Sequence, residues 1–142
     1  MMIEVHVTRQ WNIPASQVWA LVADFGDISW ADGIDRVEVV GEGVGMARHI
    51  YMGDMPPIEE VLTSQNPEEM TFSYDIPRGI PMPLADYSAN AKITALSPTR
   101  CQVDWYGRAR PEGMTDDDAT AMLQGTYDML LGWIARRLGV TD

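Results

Sequence analysis

The chain has 142 residues, of which 46% are hydrophobic and 22% charged, a length and composition typical of one globular domain. Twenty-one acidic residues against ten Lys and Arg give a formal net charge of −11. Because this field repels polyanions and the basic residues do not cluster, nucleic-acid binding is not expected.

Cysteine content and the N-terminal residues indicate the compartment. Cys101 is the single cysteine, so an internal disulfide and a cysteine-based zinc site are excluded. The first residues contain no apolar run typical of a signal peptide, and no segment approaches the roughly 18 apolar residues of a membrane-spanning helix. We therefore expect a cytoplasmic protein of bacterial type without a membrane span, a metal or a cofactor.

The N-terminal half alternates between helix and strand signals. Residues 2–11 alternate polar and apolar side chains, which predicts a half-buried strand. Pro14 suits the first turn of a short helix, and a second helical turn is predicted to run to about Trp30. Turn residues then separate four strand-like runs, at 34–41, 44–52, 57–65 and 70–77.

Two longer strands, 85–96 and 100–110, precede a final helix. Thr115 is its predicted N-cap and Gly139 its end, which gives a helix roughly 34 Å long. The three acids at 116–118 suit the positive end of the helix dipole, and because successive helical side chains diverge they are not expected to bind a metal.

Four groups of segments carry a resemblance to a known superfamily: IPASQVWALVADFGDISW, then GEGVGMARHIYM with IEEVLTSQNPEEMTFSYDI, then MPLADYSANAKI, and CQVDWYGRARPEG. Together they resemble the START-like, Bet v 1-type superfamily, in its bacterial polyketide cyclase/dehydrase-like branch. The resemblance implies one α+β helix-grip domain over 1–142. Its seven-stranded antiparallel sheet curves around the C-terminal helix, and two short helices join the first two strands.

The same resemblance implies a deep apolar cavity between sheet and helix, with the Pro-rich loop at 80–84 as a gate at its entrance. The superfamily contains lipid carriers, hormone receptors, cyclases and chaperone activators, so the fold alone does not define the function.

Strand alternation predicts which side chains line such a cavity. A hairpin centred near Asp54 pairs Arg48 with Glu60 on the inward, apolar face. In one interpretation the pair anchors a ligand, with Arg48 gripping a carboxylate or phenolate and Glu60 polarising a hydroxyl. In the other it is a structural ion pair that fixes the register. Tyr74 is predicted near Glu60 or one step along; Tyr74 and Tyr87 are either hydrogen-bond donors to a ligand or aromatic core residues.

The last hairpin, centred on Pro98, pairs Ala89 with Gly107 and Tyr87 with Ala109. The small inward residues Ala89, Gly107 and Ala109 indicate either that the helix packs closely at this point or that a hollow remains for a ligand. The opposite face, which includes Asp104 and Tyr106, is expected to be solvent-exposed. The two histidines, His6 and His49, are also expected on outward faces and are not predicted to be catalytic.

We predict a protein that binds a small hydrophobic or amphipathic molecule, such as a polyketide, a lipid or an aromatic metabolite. The candidate ligand-binding residues are Arg48, Glu60, Phe72, Tyr74, Tyr87, Trp105 and Met122. If the protein is a polyketide cyclase or dehydratase instead, the catalytic candidates are Arg48, Glu60 and Tyr74.

A third alternative is a partner protein of the chaperone-activator type, with Tyr51, Tyr106 and the Pro-rich loop as its exposed patch. A homodimer is compatible with the predicted function. A continuous cavity of about 300 Å³ or more favours ligand binding, whereas a closed interior with an outer apolar patch favours a partner role.

Overall fold

Seven antiparallel strands form one curved sheet against which a long C-terminal helix packs in the computed structural model, which describes residues 1–141. The strand order is β1-β7-β6-β5-β4-β3-β2. The elements are β1 (Ile3–Trp11), α1 (Ala15–Val22), β2 (Arg36–Val40), β3 (Ala47–Tyr51), β4 (Ile58–Asn66), β5 (Thr71–Arg78), β6 (Leu84–Ser97), β7 (Arg100–Pro111) and α2 (Asp116–Leu138). The predicted helix-grip fold is confirmed.

Helix α2 has the caps that its sequence predicts. The Thr115 hydroxyl accepts a hydrogen bond from the backbone N–H of Asp118 at 3.1 Å. Gly139 ends the helix in the left-handed conformation, with φ of 73°, which a residue without Cβ adopts readily. These caps fix both ends of the helix that forms one wall of the interior.

The second short helix predicted between β1 and β2 takes the form of two hydrogen-bonded turns. Asp27 N–H donates to the Asp24 carbonyl at 3.0 Å, and Ala31 N–H donates to the Ile28 carbonyl at 2.9 Å. The Asp27 carboxylate also accepts from the Ser29 backbone N–H, a local bond that competes with helix formation. The segment remains irregular, and its Phe25 packs against Phe72 and Tyr74 of the sheet.

Hairpin β3–β4 has the predicted register. Arg48 lies opposite Glu60, and Ile50 lies opposite Ile58. Between β4 and β5 a register shift brings Tyr74 opposite Leu62, and the Tyr74 ring still lies 5.4 Å from Cζ of Arg48.

In the last hairpin Ala89 pairs with Gly107 as predicted, but the predicted pairing of Tyr87 with Ala109 is interrupted. The register shifts at this point, so that Asp86 and Tyr87 together face Ala109. Asp86 has a positive φ of 53°, a conformation that aspartate tolerates better than most residues. Tyr87 nevertheless points inward and is buried.

The expectation that Asp104 is solvent-exposed is wrong. Its side chain lies on the outward face but is buried, with 4% of the residue exposed. The His6 ring nitrogen lies 2.7 Å from one carboxylate oxygen, and Gln102 Nε2 donates to the other at 3.0 Å. His6 is exposed and stacks on Tyr106, with the ring centroids 4.2 Å apart. These neighbours from β1 and β7 cover Asp104.

Candidate functional site

A cavity with a volume of about 200 Å³ lies between the sheet and α2. Its walls are the irregular segment 28–34, hairpin β3–β4, strand β5, the Pro-rich loop and the middle of α2. The exposed residues Asp32 and Met129 are part of the lining, so the cavity reaches the surface beside them. The volume is smaller than the approximately 300 Å³ that favours ligand binding.

Four of the seven predicted site residues meet in the wall of this cavity: Arg48, Glu60, Tyr74 and Tyr87. The other three do not line it. Phe72 and Trp105 pack edge to face in the core with centroids 5.7 Å apart, and Met122 lies one helical turn before the lining residue Thr126. Ligand binding by any of the seven stays a prediction.

The Arg48–Glu60 pair is the charged feature of an otherwise mostly apolar wall. The two side chains are 8% and 13% exposed. Arg48 Nε and Nη2 lie 2.7 and 2.6 Å from Oε1 of Glu60, and Nη1 donates to the carbonyl of Phe25 at 2.8 Å. The guanidinium also lies 3.8 Å above the Phe25 ring, a cation–π geometry. Three of the five N–H groups of Arg48 are therefore engaged by the protein.

Glu60 is less completely satisfied than Arg48. Both contacts with Arg48 use Oε1, and within residues 1–141 the second oxygen, Oε2, accepts no hydrogen bond. A carboxylate oxygen accepts more than one hydrogen bond, so the pair retains an acceptor at Oε2 and donors on Arg48. Such a pair can receive a group that both donates and accepts.

Three buried tyrosines form a second polar group in the wall. The hydroxyls of Tyr87 and Tyr127 are 2.5 Å apart, and Trp105 Nε1 donates to the Tyr74 hydroxyl at 3.3 Å. Burial raises the pKa of Tyr74 to about 12 and holds the pKa of Tyr87 and of Tyr127 well above the usual value. These phenols are therefore neutral at physiological pH and act as hydrogen-bonding groups.

The sequence did not single out two residues of the wall. Trp30 is 6% exposed, and its indole Nε1 is a buried side-chain polar atom without a hydrogen-bond partner in the described chain. Tyr127 projects from α2 into the hollow over Gly107. The Tyr127 position follows the three- and four-residue spacing of the buried face of α2, which is a usable signal, whereas Trp30 lies in a segment without periodicity.

The rim of the cavity joins the irregular segment to α2. Asp32 receives two hydrogen bonds from Arg136, at 3.0 and 2.6 Å, and these hold the pKa of Asp32 below its usual value. On the other side Pro81 and Met82 of the Pro-rich loop line the cavity, and the Thr126 hydroxyl lies 3.7 Å from the Met82 sulfur. A gating role for this loop stays a prediction.

The residues proposed for a partner surface lie apart from one another on the outward face. Tyr51 is half-buried, with Cζ of Arg36 3.9 Å from its ring centroid. Tyr106 is 37% exposed and stacks on His6.

Over residues 1–141, no three His, Cys, Asp or Glu side chains are arranged to hold a metal ion. No helix in that range is long and apolar enough to cross a membrane.

Comparison with known proteins gives a family and several solved structures. Residues 2–139 match the model of a family described as polyketide cyclase / dehydrase and lipid transport. An uncharacterised protein from Bacillus thuringiensis has 23% identity and a TM-score of 0.83, with 95% of this chain and 98% of that chain covered. A protein from Thermobifida fusca has 21% identity and a TM-score of 0.83, with 96% and 93% covered.

A structure with bound small molecules shares the same fold. Norcoclaurine synthase from Thalictrum flavum, solved in complex with dopamine and hydroxybenzaldehyde, has 13% identity and a TM-score of 0.75. The match covers 97% of this chain and 87% of that one. No curated protein matches the sequence.

Proposed function

The chain belongs to the polyketide cyclase / dehydrase and lipid transport family, and we propose that it binds a small neutral amphipathic molecule, about one aromatic ring in size, in the cavity between sheet and α2. The observation that carries this proposal is the buried Arg48–Glu60 pair in the wall of a mostly apolar cavity, with one Glu60 oxygen free to accept.

The size of the ligand follows from the volume of the cavity. An apolar cavity of about 150 Å³ is sufficient for benzene, so about 200 Å³ accommodates one substituted ring or a short chain. A long poly-β-keto chain or a diacyl lipid would require the walls to move apart. The same fold holds single-ring compounds in the norcoclaurine synthase complex.

The polarity of the ligand follows from the contacts of the ion pair. A neutral hydroxyl can donate to Oε2 of Glu60 and accept from a remaining N–H of Arg48, which satisfies both partners. A carboxylate would approach Oε2 of Glu60 with like charge, and the net charge of −11 adds to the repulsion. We therefore favour an alcohol or phenol over the carboxylate considered from the sequence.

Three probes of similar size test this proposal: ethylbenzene, 4-ethylphenol and 4-ethylbenzoate, each titrated into the protein by calorimetry. We expect 4-ethylphenol to bind more tightly than ethylbenzene by roughly ten- to hundredfold, since one hydrogen bond to a charged group contributes about 1.5–3 kcal/mol. The benzoate should bind most weakly. Tightest binding of the benzoate would contradict the proposed polarity, and no binding of any probe would contradict the proposed function.

Cyclisation or dehydration of such a ligand is the second candidate function. It is favoured by the presence of a carboxylate, a guanidinium and neutral phenols around one cavity, because enolisation needs a base and hydrogen-bond donors for the enolate oxygen. Deuterium exchange into the methyl group of acetophenone measures this chemistry directly. Exchange should be faster with the native protein than with an Arg48→Met, Glu60→Gln variant; equal rates would contradict catalysis.

A further inference from the structure

The indole N–H of Trp30 has no acceptor although it is buried. Trp30 is 6% exposed and lines the cavity, and its Nε1 lacks a hydrogen-bond partner within residues 1–141. The indole nitrogen is a donor only, so an acceptor is what it lacks. Buried polar groups are nearly always paired, and a buried donor without a partner destabilises the fold.

An indole donor behind the cavity is paired. Trp105 Nε1 donates to the Tyr74 hydroxyl, so the fold satisfies this indole in the core. Two tryptophans, Trp30 and Trp133, line the cavity wall, and of these Trp30 has a buried Nε1 without a partner. The irregular segment around Trp30 is itself well fixed, by the hydrogen bond from Ala31 to Ile28 and by the Asp32–Arg136 pair. The unsatisfied group is thus a single atom, Nε1 of Trp30, in a wall whose backbone is held in place.

We propose that Trp30 is a second polar contact of the ligand and donates its indole N–H to a carbonyl-type acceptor on it. This inference rests on the proposed function and narrows the ligand to a neutral hydroxy-carbonyl compound of about one ring. The hydroxyl meets Glu60 on β4, and the carbonyl meets Trp30 on the segment between α1 and β2. Such a ligand supplies the acceptor that the protein itself lacks at Trp30 Nε1.

Matched pairs of probes test the contact. The 3- and 4-hydroxyacetophenones differ from the 3- and 4-ethylphenols by a carbonyl in place of a methylene, and two ring positions allow for different spans of the cavity. Affinities are measured for the native protein, for Trp30→Phe, which keeps an aromatic ring but removes the N–H, and for Trp19→Phe. Trp19 packs beside Phe72 and does not line the cavity, so it controls for the loss of an indole.

We expect at least one hydroxyacetophenone to bind roughly five- to tenfold more tightly than its ethylphenol partner to the native protein and to Trp19→Phe. The preference should vanish in Trp30→Phe. In the native protein, the Trp30 indole proton resonance should move downfield with the acetyl probe and not with the ethyl probe, a readout that needs no variant to fold.

Two results would overturn the inference, and they have different consequences for the proposed function. Equal affinities of acetyl and ethyl probes for the native protein, with no movement of the indole resonance, would overturn the Trp30 contact while the proposed function survives. Failure of all four probes to bind would overturn the proposed function and the Trp30 contact with it.

Discussion

The phenol of Tyr127 occupies the space that a side chain at residue 107 would need. A Cβ built on Gly107 would overlap the Tyr127 hydroxyl and lie 2.8 Å from its Cζ. The hollow left by the small residues of β6 and β7 is therefore filled at this point by α2, and the cavity lies farther along the helix. The position of Tyr127 in turn brings its hydroxyl to Tyr87.

Gly107→Ala is expected to destabilise the protein by about 2–4 kcal/mol, because Tyr127 must move and its hydrogen bond to Tyr87 is strained. Urea unfolding measures the change. Gly125→Ala is the matched control: Gly125 lies in α2 with open space around it, and the substitution should stabilise by about 0.5–1 kcal/mol. Equal effects of the two variants would show that the contact is unimportant.

We expect substitutions of Arg48 and Glu60 to have non-additive effects on the free energy of unfolding. Arg48→Met should destabilise by about 3–5 kcal/mol because it leaves Glu60 buried without its partner. The double variant Arg48→Met, Glu60→Leu should lie within about 1–2 kcal/mol of the native protein, since apolar side chains of similar volume replace both charges. Chemical unfolding of the native protein, of the single variants Arg48→Met and Glu60→Leu, and of the double variant measures the coupling, and additive losses would contradict it.

The buried phenols predict loss of stability in alkali. Their pKa values in the folded state lie above the ordinary value of 10, so the unfolded chain releases protons there that the folded chain retains. Their contribution to the free energy of unfolding is complete below pH 10 and falls as pH rises toward 12, by about 1.4 kcal/mol per pH unit for each phenol. Tyr127→Phe should make the decline shallower in urea titrations; an unchanged slope would contradict this.

We expect the low pKa of Asp104 to make the stability of the protein depend on pH in the acid range. Burial raises the pKa of Asp104, but hydrogen bonds from Gln102, His6 and Thr8 outweigh burial and hold the pKa below 3.8. The stabilisation is therefore present above the ordinary pKa and is lost as pH falls through the folded-state value.

Asp104→Asn should destabilise by about 1–3 kcal/mol near pH 7, and the difference from the native protein should shrink below pH 3.8. Asp128→Asn is the control, because Asp128 pairs with Arg9 at the exposed surface and its loss should change stability by less than about 1 kcal/mol. Equal losses in the two variants would refute the role of burial.

Regular alternation explains why much of the fold was predictable. In a hairpin with a short turn, the period of two assigns each side chain to a face, so the pairing of Arg48 with Glu60 and its inward direction follow from the sequence. The curvature of the sheet around α2 is implied by the resemblance to a known superfamily. The alternation of side chains along the strands does not predict it.

The remaining features depend on contacts between distant segments. Asp104 is covered by neighbours such as His6, almost a hundred residues away in sequence. The bulge at Asp86 depends on a backbone angle that the residue permits but does not require. Trp30 lies in an irregular segment, where no period indicates which way a side chain points.

Occupancy of the cavity is the most direct test of the account. Calorimetric titration of 4-ethylphenol is made with the native protein, with Ala31→Trp, which fills the cavity from its lining, and with Ala121→Trp on the exposed face of α2. We expect one binding site in the native protein and in Ala121→Trp, and at least a tenfold loss of affinity in Ala31→Trp. Undiminished binding to Ala31→Trp, or no binding to the native protein, would contradict a ligand site in this cavity.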